Sequence, residues 1–352
     1  MKLLTLGLTN FRNHKKFSAE LAEKTIVVGQ NGVGKSNLLE AIYLAATAKS
    51  FRASSDHEMI RYGEKVGRVK LTMVRSGEKI DLEIVIHDGT LEGIKKKFFV
   101  NGVAKRSTDF GGNLKAVMFS PVDMELLSGS PSGRRKYLDL IISQSDREYR
   151  RSLISYEKGL RQRNRLLEQI REGEAERSQL FFWDRLLIKN GNYLTDKRAE
   201  LLNFFSGQGT EGEMIFKCGY DRSEISEARL KQYETEEVMA ATTLVGPHRD
   251  DFVVEMQDAD QENNFVNVAK FGSRGEQRMA VLWLKGGEFN YLNQADDCPV
   301  LLLDDIFSEL DHKHREVIET LADAVINKGG QVIMTTADEH VVPKQEWKII
   351  NL

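Results

Sequence analysis

Gly29, Gln30, Asn31, Gly32, Val33, Gly34, Lys35 and Ser36 satisfy every fixed position of the G-x-x-x-x-G-K-[ST] phosphate loop. Glycines without a Cβ let successive backbone N–H groups curl around a polyphosphate at the positive end of a helix. Lys35 then reaches the outer phosphates, and the Ser36 hydroxyl can ligate Mg²⁺. The stretch therefore reads as a nucleoside triphosphate site. Far along the chain, the run Val300-Leu301-Leu302-Leu303 ends in Asp304 and Asp305. Two carboxylates at the carboxyl end of a buried strand suit such a site. Asp304 is typed for water-mediated Mg²⁺ binding and Asp305 for polarising an attacking water. A third feature is Ser273-Arg274-Gly275-Glu276-Gln277, where Ser and Gly open a helix and can bind an anion at its N-terminus. Taken alone it is equally a simple helix cap.

Elements of the right kind flank these residues. Lys24 to Val28 is a β-branched run suited to a buried parallel strand, and Asn37 to Ala46 carries Leu38, Leu39, Ile42 and Leu44 at near-helical spacing. Leu4 to Phe17 reads as an alternating strand turning at Thr9-Asn10, placing Arg12 just before the loop strand and adjacent to it. Arg12 is then either a solvated turn residue or a cation beside the nucleotide. Lys65 to Met73, Lys79 to Ile86 and the Asn101-Gly102 hairpin predict antiparallel strands. Ala116 to Ser120 is a further short strand that ends at Pro121, and Gln331 to Met334 is the last core strand, followed by Thr335-Thr336.

From Arg134 to Phe205 the pattern becomes long amphipathic helices, interrupted around Gly173 to Ser178, which predicts an inserted helical lid. Arg134 to Arg165 holds ten Lys and Arg against four acids, a local net of +6. Such a face fits a phosphate backbone, with Arg134, Arg135, Arg147, Arg150 and Arg151 as candidate DNA contacts; a solvated face with intrahelical ion pairs is the alternative. Gly246-Pro247-His248-Arg249-Asp250-Asp251 packs His, Arg and two Asp into one turn, as a structural corner or a functional site.

The 352 residues carry a net charge of −3, so any nucleic-acid contact rests on local patches. No apolar run approaches a membrane span, and the start lacks a signal-peptide core, so the expectation is a cytoplasmic protein without membrane contact. Cys218 and Cys298 stand far apart without His or Cys partners, which argues against a disulfide framework or zinc site.

The ordered set of phosphate loop, Ser-x-Gly-x-Gln helix start, Asp304-Asp305 strand and Ser308-Glu309-Leu310-Asp311 resembles the ABC-type ATPase head. More closely, the chain resembles the RecF family of bacterial recombination mediators. Asn10-Phe11-Arg12-Asn13-His14, Phe119-Ser120-Pro121, Gly133-Arg134-Arg135, Arg161-Gln162-Arg163-Asn164, Gly246 to Asp251 and Leu302 to Asp305 all match that pattern. The resemblance implies an α/β fold, an ABC-type P-loop head with a mixed sheet and an antiparallel β subdomain, interrupted by the helical lid: head 1–119, lid 120–206, head 207–352. It implies an ATP-induced homodimer that binds single- and double-stranded DNA or their junctions, works with RecO and RecR in gap repair, and supports replication and the damage response. Ser273 and Gly275 would meet the γ-phosphate held by the other subunit. Two departures, Thr335-Thr336 in place of a switch His and Asp305 in place of Glu, imply slow hydrolysis, a weak DNA-stimulated ATPase. An ABC transporter subunit would lack the basic lid. An SMC-like structural ATPase needs coiled-coil arms, for which the interval of 269 positions from Lys35 to Asp304 leaves no room.

Overall fold

The computed structural model describes residues 1–53, 55–88, 95–208, 214–258, 264–293, 297–306, 312–337 and 347–352. The Ser308-Glu309-Leu310-Asp311 segment lies outside these residues. In chain order the first elements are β1 (Lys2–Phe11), β2 (His14–Glu20), β3 (Lys24–Val28), α1 (Lys35–Thr47), β4 (Val66–Arg75), β5 (Glu78–His87), β6 (Lys95–Val100), β7 (Val103–Lys105), α2 (Ser107–Phe110) and β8 (Ala116–Phe119). Next come α3 (Glu125–Ser128), α4 (Pro131–Ser145), α5 (Arg147–Arg171), α6 (Phe181–Ser206), β9 (Met214–Asp221), α7 (Glu227–Gln232) and α8 (Glu234–Ala240). Then follow β10 (Asp251–Asp258), β11 (Val266–Asn267), α9 (Val268–Phe271), α10 (Arg274–Leu292), β12 (Val300–Asp304), α11 (His312–Asn327), β13 (Val332–Thr336) and β14 (Lys348–Asn351).

Two compact units result, one of residues 1–123 and 288–352, the other of residues 124–287. The first holds a five-stranded parallel sheet, β14-β3-β13-β12-β8, and a six-stranded antiparallel sheet, β2-β1-β4-β5-β6-β7. Helix α1 packs against strands of both, and every residue from Leu38 to Thr47 is buried. A helix buried on all sides needs a layer on each side, and each buried Leu or Ile here contributes ~1.5–3 kcal/mol. Gln331 ties the sheets together: its amide nitrogen donates to Leu3 O and Ala22 O, and its oxygen accepts from Leu3 N at 2.7 Å.

Two expectations are corrected in this unit. Strand β1 runs on to Phe11, and the hairpin reverses at Arg12-Asn13 with Phe11 opposite His14. Asn10 and Arg12 take positive φ there, 47° and 53°. The strand before the loop is not its neighbour either: β1 lies in the antiparallel sheet, whereas β3 sits between β13 and β14.

In the second unit α5 and α6 form a helical hairpin, with Arg163 of one against Asp184 of the other, and β11-β10-β9 form an antiparallel sheet. The expected return to the head at 207 gives way to a second unit that extends to Gly287. The reason is pairing: β9 takes β10 as its partner over eight residues, and Trp283 of α10 lies against Phe205 of α6 and Phe216 of β9.

Candidate nucleotide site

β3 leads into a loop whose backbone is set by two left-handed glycines, Gly32 at φ 84° and Gly34 at φ 111°. At Gly34 the space is closed as well: a Cβ would stand 2.4 Å from Asn13 Oδ1 and 2.6 Å from His14 Nε2. Helix α1 begins at Lys35 with Gly34 as its N-cap, no side-chain cap and no acid in its first turn. Asn37 N donates back to Gly34 O at 3.0 Å, and the positive end of the helix, without a side-chain cap or an acid, faces the loop. Gln30, Asn31 and Gly32 are exposed, while Lys35 is buried with its ammonium donating to Gly29 O at 2.7 Å and Gln30 O at 3.1 Å.

Sheet order brings the carboxylates in. β13 lies between β3 and β12, so the end of β12 is two strand spacings, roughly 10 Å, from the end of β3. Across that gap Ser36 Oγ donates to Asp304 Oδ1 at 2.7 Å, joining residues 268 positions apart. Asp305 follows the strand with φ 47°, so its side-chain direction is set by a left-handed residue rather than by strand alternation. Its N–H donates to Thr335 O at 3.2 Å and Thr335 Oγ1 at 3.0 Å.

Arg12 is tied to α1 rather than free in the turn. Its Nε and Nη2 donate to the two Glu40 carboxylate oxygens at 2.8 and 2.6 Å, and Nη1 to Glu58 O at 2.8 Å. Glu40 is fully buried on α1 and needs that countercharge. The next two residues, to which the sequence reading assigned no role, brace the loop instead. Asn13 Nδ2 donates to Val33 O at 2.7 Å, Asn13 Oδ1 accepts from Asn37 Nδ2 at 2.9 Å, and His14 Nε2 lies 3.1 Å from Gly34 O.

Among the described residues no group of three or more His, Cys, Asp and Glu side chains could hold a metal by itself. Ser36 and Asp304 offer protein oxygens on one side only, which fits Mg²⁺, an ion that takes its other ligands from phosphate and water.

In the second unit, Ser273 and Gly275 stand at the start of α10. Ser273 is exposed and forms a capping box: Glu276 N donates to Ser273 Oγ at 3.3 Å, and Ser273 N to Glu276 Oε2 at 2.6 Å. Space is open where a Gly275 Cβ would point.

The Gly246 to Asp251 turn is a corner around a buried arginine. Arg198, 3 % exposed, donates to Asp139 Oδ1, Tyr149 Oη, Pro247 O and Asp250 Oδ2 at 2.7–3.2 Å. Burial works against its charge, yet Asp139 and then the other partners hold its pKa well above the ordinary value. Tyr220 Oη and Ser223 N donate to Asp250, and Tyr156 Oη contacts His248 Nδ1 at 2.8 Å. A Cβ on Gly246, at φ 121°, would come within 2.4 Å of that Tyr156 hydroxyl. Burial lowers the His248 pKa to about 4, which leaves its imidazole neutral at pH 7, with Nε2 3.0 Å from Thr243 O.

This framework engages part of the basic face. Arg134 donates through Nε and Nη2 to Asp251 and through Nη1 to Gly129 O, all at 2.7 Å, and Arg135 Nη1 donates to Asp250 O. Arg163 is buried between Asp184, Glu237 and Thr243. Arg150 is half-buried and donates to Ser143 O. Arg147 and Arg151 are exposed, the latter 3.9 Å from Glu148.

A phosphate loop facing a strand-end carboxylate across one intervening strand, on a parallel sheet backed by an antiparallel one, is the fold of an ABC-type ATPase head. Comparison with known proteins narrows this class. The family described as RecF/RecN/SMC N terminal domain matches residues 2–350. The chain is 34% identical to the DNA replication and repair protein RecF of Lachnoclostridium phytofermentans, over 95% of this chain and 92% of that protein. It is 36% identical to RecF of Leptospira interrogans, over 96% and 92%. The solved structure of the recombination mediator protein RecF with ATP in the RecFOR pathway superposes with a TM-score of 0.84 at 31% identity, covering 97% of this chain and 93% of that one. An Smc head bound to the C-terminal winged-helix domain of ScpA, at 15% identity and TM-score 0.50, shares the fold alone. The chain belongs to the RecF family of DNA replication and repair proteins. No helix among the described residues is long and apolar enough to cross a membrane.

Proposed function

We propose that the protein is a cytoplasmic, ATP-dependent DNA-binding protein of recombinational repair and replication, a dimer in its ATP state that hydrolyses slowly to release. The observation that carries this reading is the 2.7 Å bond from Ser36 Oγ to Asp304 Oδ1 beside the buried Lys35 ammonium. In it, Gly29 to Ser36 hold the triphosphate, Lys35 neutralises the outer phosphates, and Ser36 and Asp304 hold Mg²⁺. That ion would supply charge neutralisation on the phosphates. Asp305 orients water, with a shorter reach than Glu, which agrees with slow turnover. RecO and RecR enter as partners because the ATP-bound relative belongs to the RecFOR pathway.

On the DNA side the supporting feature is one stripe of α5. Arg147, Arg151, Lys158, Arg161 and Arg165 are all exposed and recur at steps of three, four or seven residues, hence on one face, over roughly 27 Å. On the dimer side the supporting feature is the start of α10, where Ser273 is exposed and the space beside Gly275 is open; the Glu276 carboxylate that caps this start in the nucleotide-free chain would give way to a partner's γ-phosphate. ADP lacks that group, so the dimer is a population shift favoured by ATP.

The test is sizing of the protein with a non-hydrolysable ATP analogue, ADP or no nucleotide, together with ATPase assays with and without DNA. Dimers with the analogue only, and hydrolysis raised by DNA, are expected. An unchanged monomer with no hydrolysis overturns the reading. Ser273→Arg should bind ATP as a monomer yet fail to dimerise.

A further inference from the structure

We propose that Thr335 is a positioning residue for the nucleotide reaction, holding the Asp304 carboxylate and the Asp305 peptide together through a single hydroxyl. The inference rests on the nucleotide-site reading above. Thr335 is 1 % exposed, lies directly opposite Asp304 in the parallel register of β12 and β13, and faces Val27 of β3 on its other side. Its Oγ1 donates to Asp304 Oδ1 at 2.8 Å and accepts the Asp305 N–H at 3.0 Å. A hydroxyl has one proton, so both directions of this side chain are defined: proton toward Asp304, lone pair toward Asp305.

Asp304 Oδ1 thus accepts from two elements, Ser36 on the loop helix and Thr335 on the sheet. The Ser36 anchor belongs to the loop that handles nucleotide. The Thr335 anchor belongs to a buried strand and holds the carboxylate whatever the loop does. β-Branching adds stiffness, because Thr has few χ1 choices on a strand. Together with the Thr335 carbonyl, the same hydroxyl fixes the peptide N–H of Asp305, the left-handed residue at φ 47° that is proposed to orient water. Such outer hydrogen bonds on a metal-binding carboxylate are worth ~10–100-fold in metal affinity or activity.

The competing account is a buried threonine that only satisfies its own hydroxyl. Thr335→Val keeps the shape and removes both hydrogen bonds, and Thr335→Ser keeps the hydroxyl. In Thr335→Val the nucleotide-free protein should exchange its Asp305 amide proton faster than the parent. Its ATP affinity without metal should stay within ~3-fold, while the Mg²⁺ concentration for half-maximal turnover rises and kcat falls, each by ~10-fold or more. Thr335→Ser should recover most of both. Parental amide exchange, Mg²⁺ dependence and kcat in Thr335→Val overturn the proposal, as does a Thr335→Ser protein as impaired as Thr335→Val. Should Thr335→Val not fold, Thr335→Ala is measured in the same way; failure of both to fold beside a parental Thr335→Ser assigns the hydroxyl to structure and also overturns the proposal. A parent that neither binds nor hydrolyses ATP defeats the nucleotide reading itself, a distinct result.

Discussion

The Lys35 ammonium is held by two carbonyl dipoles, Gly29 O and Gln30 O, and among the described residues no carboxylate pairs with it. The Arg198 guanidinium, equally buried, is ringed by the carboxylates of Asp139 and Asp250 and by a tyrosine and a carbonyl. A cation neutralised by the protein's own carboxylates is framework, because an arriving anion gains little from it. A cation held by dipoles alone keeps its attraction for an external phosphate. The same contrast separates Ser36-Asp304, with oxygens suited to a metal, from Asp250, whose side-chain oxygens take donors from Tyr220, Ser223 and Arg198.

The contrast is broken most severely at the nucleotide site. Lys35→Met should lower ATP turnover by at least ~10³-fold, the scale of losing charge stabilisation on transferring phosphate, with a thermal midpoint near the parent's. Parental turnover in Lys35→Met would place Lys35 with the framework. Arg198→Met should show the reverse. Removing one member of a buried ion cluster leaves Asp139 and Asp250 uncompensated and destabilises by ~3–5 kcal/mol. Nucleotide affinity of the molecules that remain folded should be unchanged. Urea unfolding and titration of a fluorescent ATP analogue measure the two quantities, and a normal urea midpoint in Arg198→Met would count against the corner as a structural hub.

A third probe uses pH. The folded-state pKa of His248, about 4, lies below the ordinary 6.5, so the unfolded chain binds the extra proton between those values. This residue's stability contribution is therefore complete above pH 6.5 and is lost as pH falls toward 4. At pH 5 the loss is ~2 kcal/mol. His248→Gln can still accept from Tyr156 and donate to Thr243 without titrating. Its urea midpoint should fall less between pH 7 and pH 5 than the parent's, and equal slopes would remove His248 from the account.

The nucleotide site was legible because its chemistry sits in short segments: glycine spacing, a lysine and serine opening a helix, and an apolar strand ending in acid. Their meeting required only the parallel order β3-β13-β12. Asn13, His14 and Thr335 were not legible, because their roles arise from the approach of a hairpin and from strand register, which no local spacing encodes. The partners of Arg134 and Arg135 were not legible for a related reason. Sequence shows a charge, but not the partner, and Asp251 lies 117 residues away from Arg134. The second unit extends past 206 because β9 pairs with β10, a choice equally invisible in either strand alone.

The smallest expected effect separates the two kinds of arginine within one basic stretch. Arg151 is exposed on the α5 stripe, 3.9 Å from Glu148, whereas Arg134 is held on both carboxylate oxygens of Asp251. If the stripe meets a phosphate backbone, Arg151→Ala removes one neutralised phosphate. The slope of log affinity against log salt should then fall by about 0.9 on duplex DNA, with a several-fold loss at low salt, equal across sequences. Arg134→Ala should leave that slope at the parental value, since its charge is paired with Asp251, and should instead lower stability by ~1–3 kcal/mol through the orphaned Asp251. Burial opposes the low pKa of Asp251, which its hydrogen bond and ion pair with Arg134 maintain, so Arg134→Ala should also raise that pKa. Filter binding at several salt concentrations reads the slopes. Equal slopes for parent and Arg151→Ala would move Arg151 off the DNA surface, and a reduced slope in Arg134→Ala would return Arg134 to it.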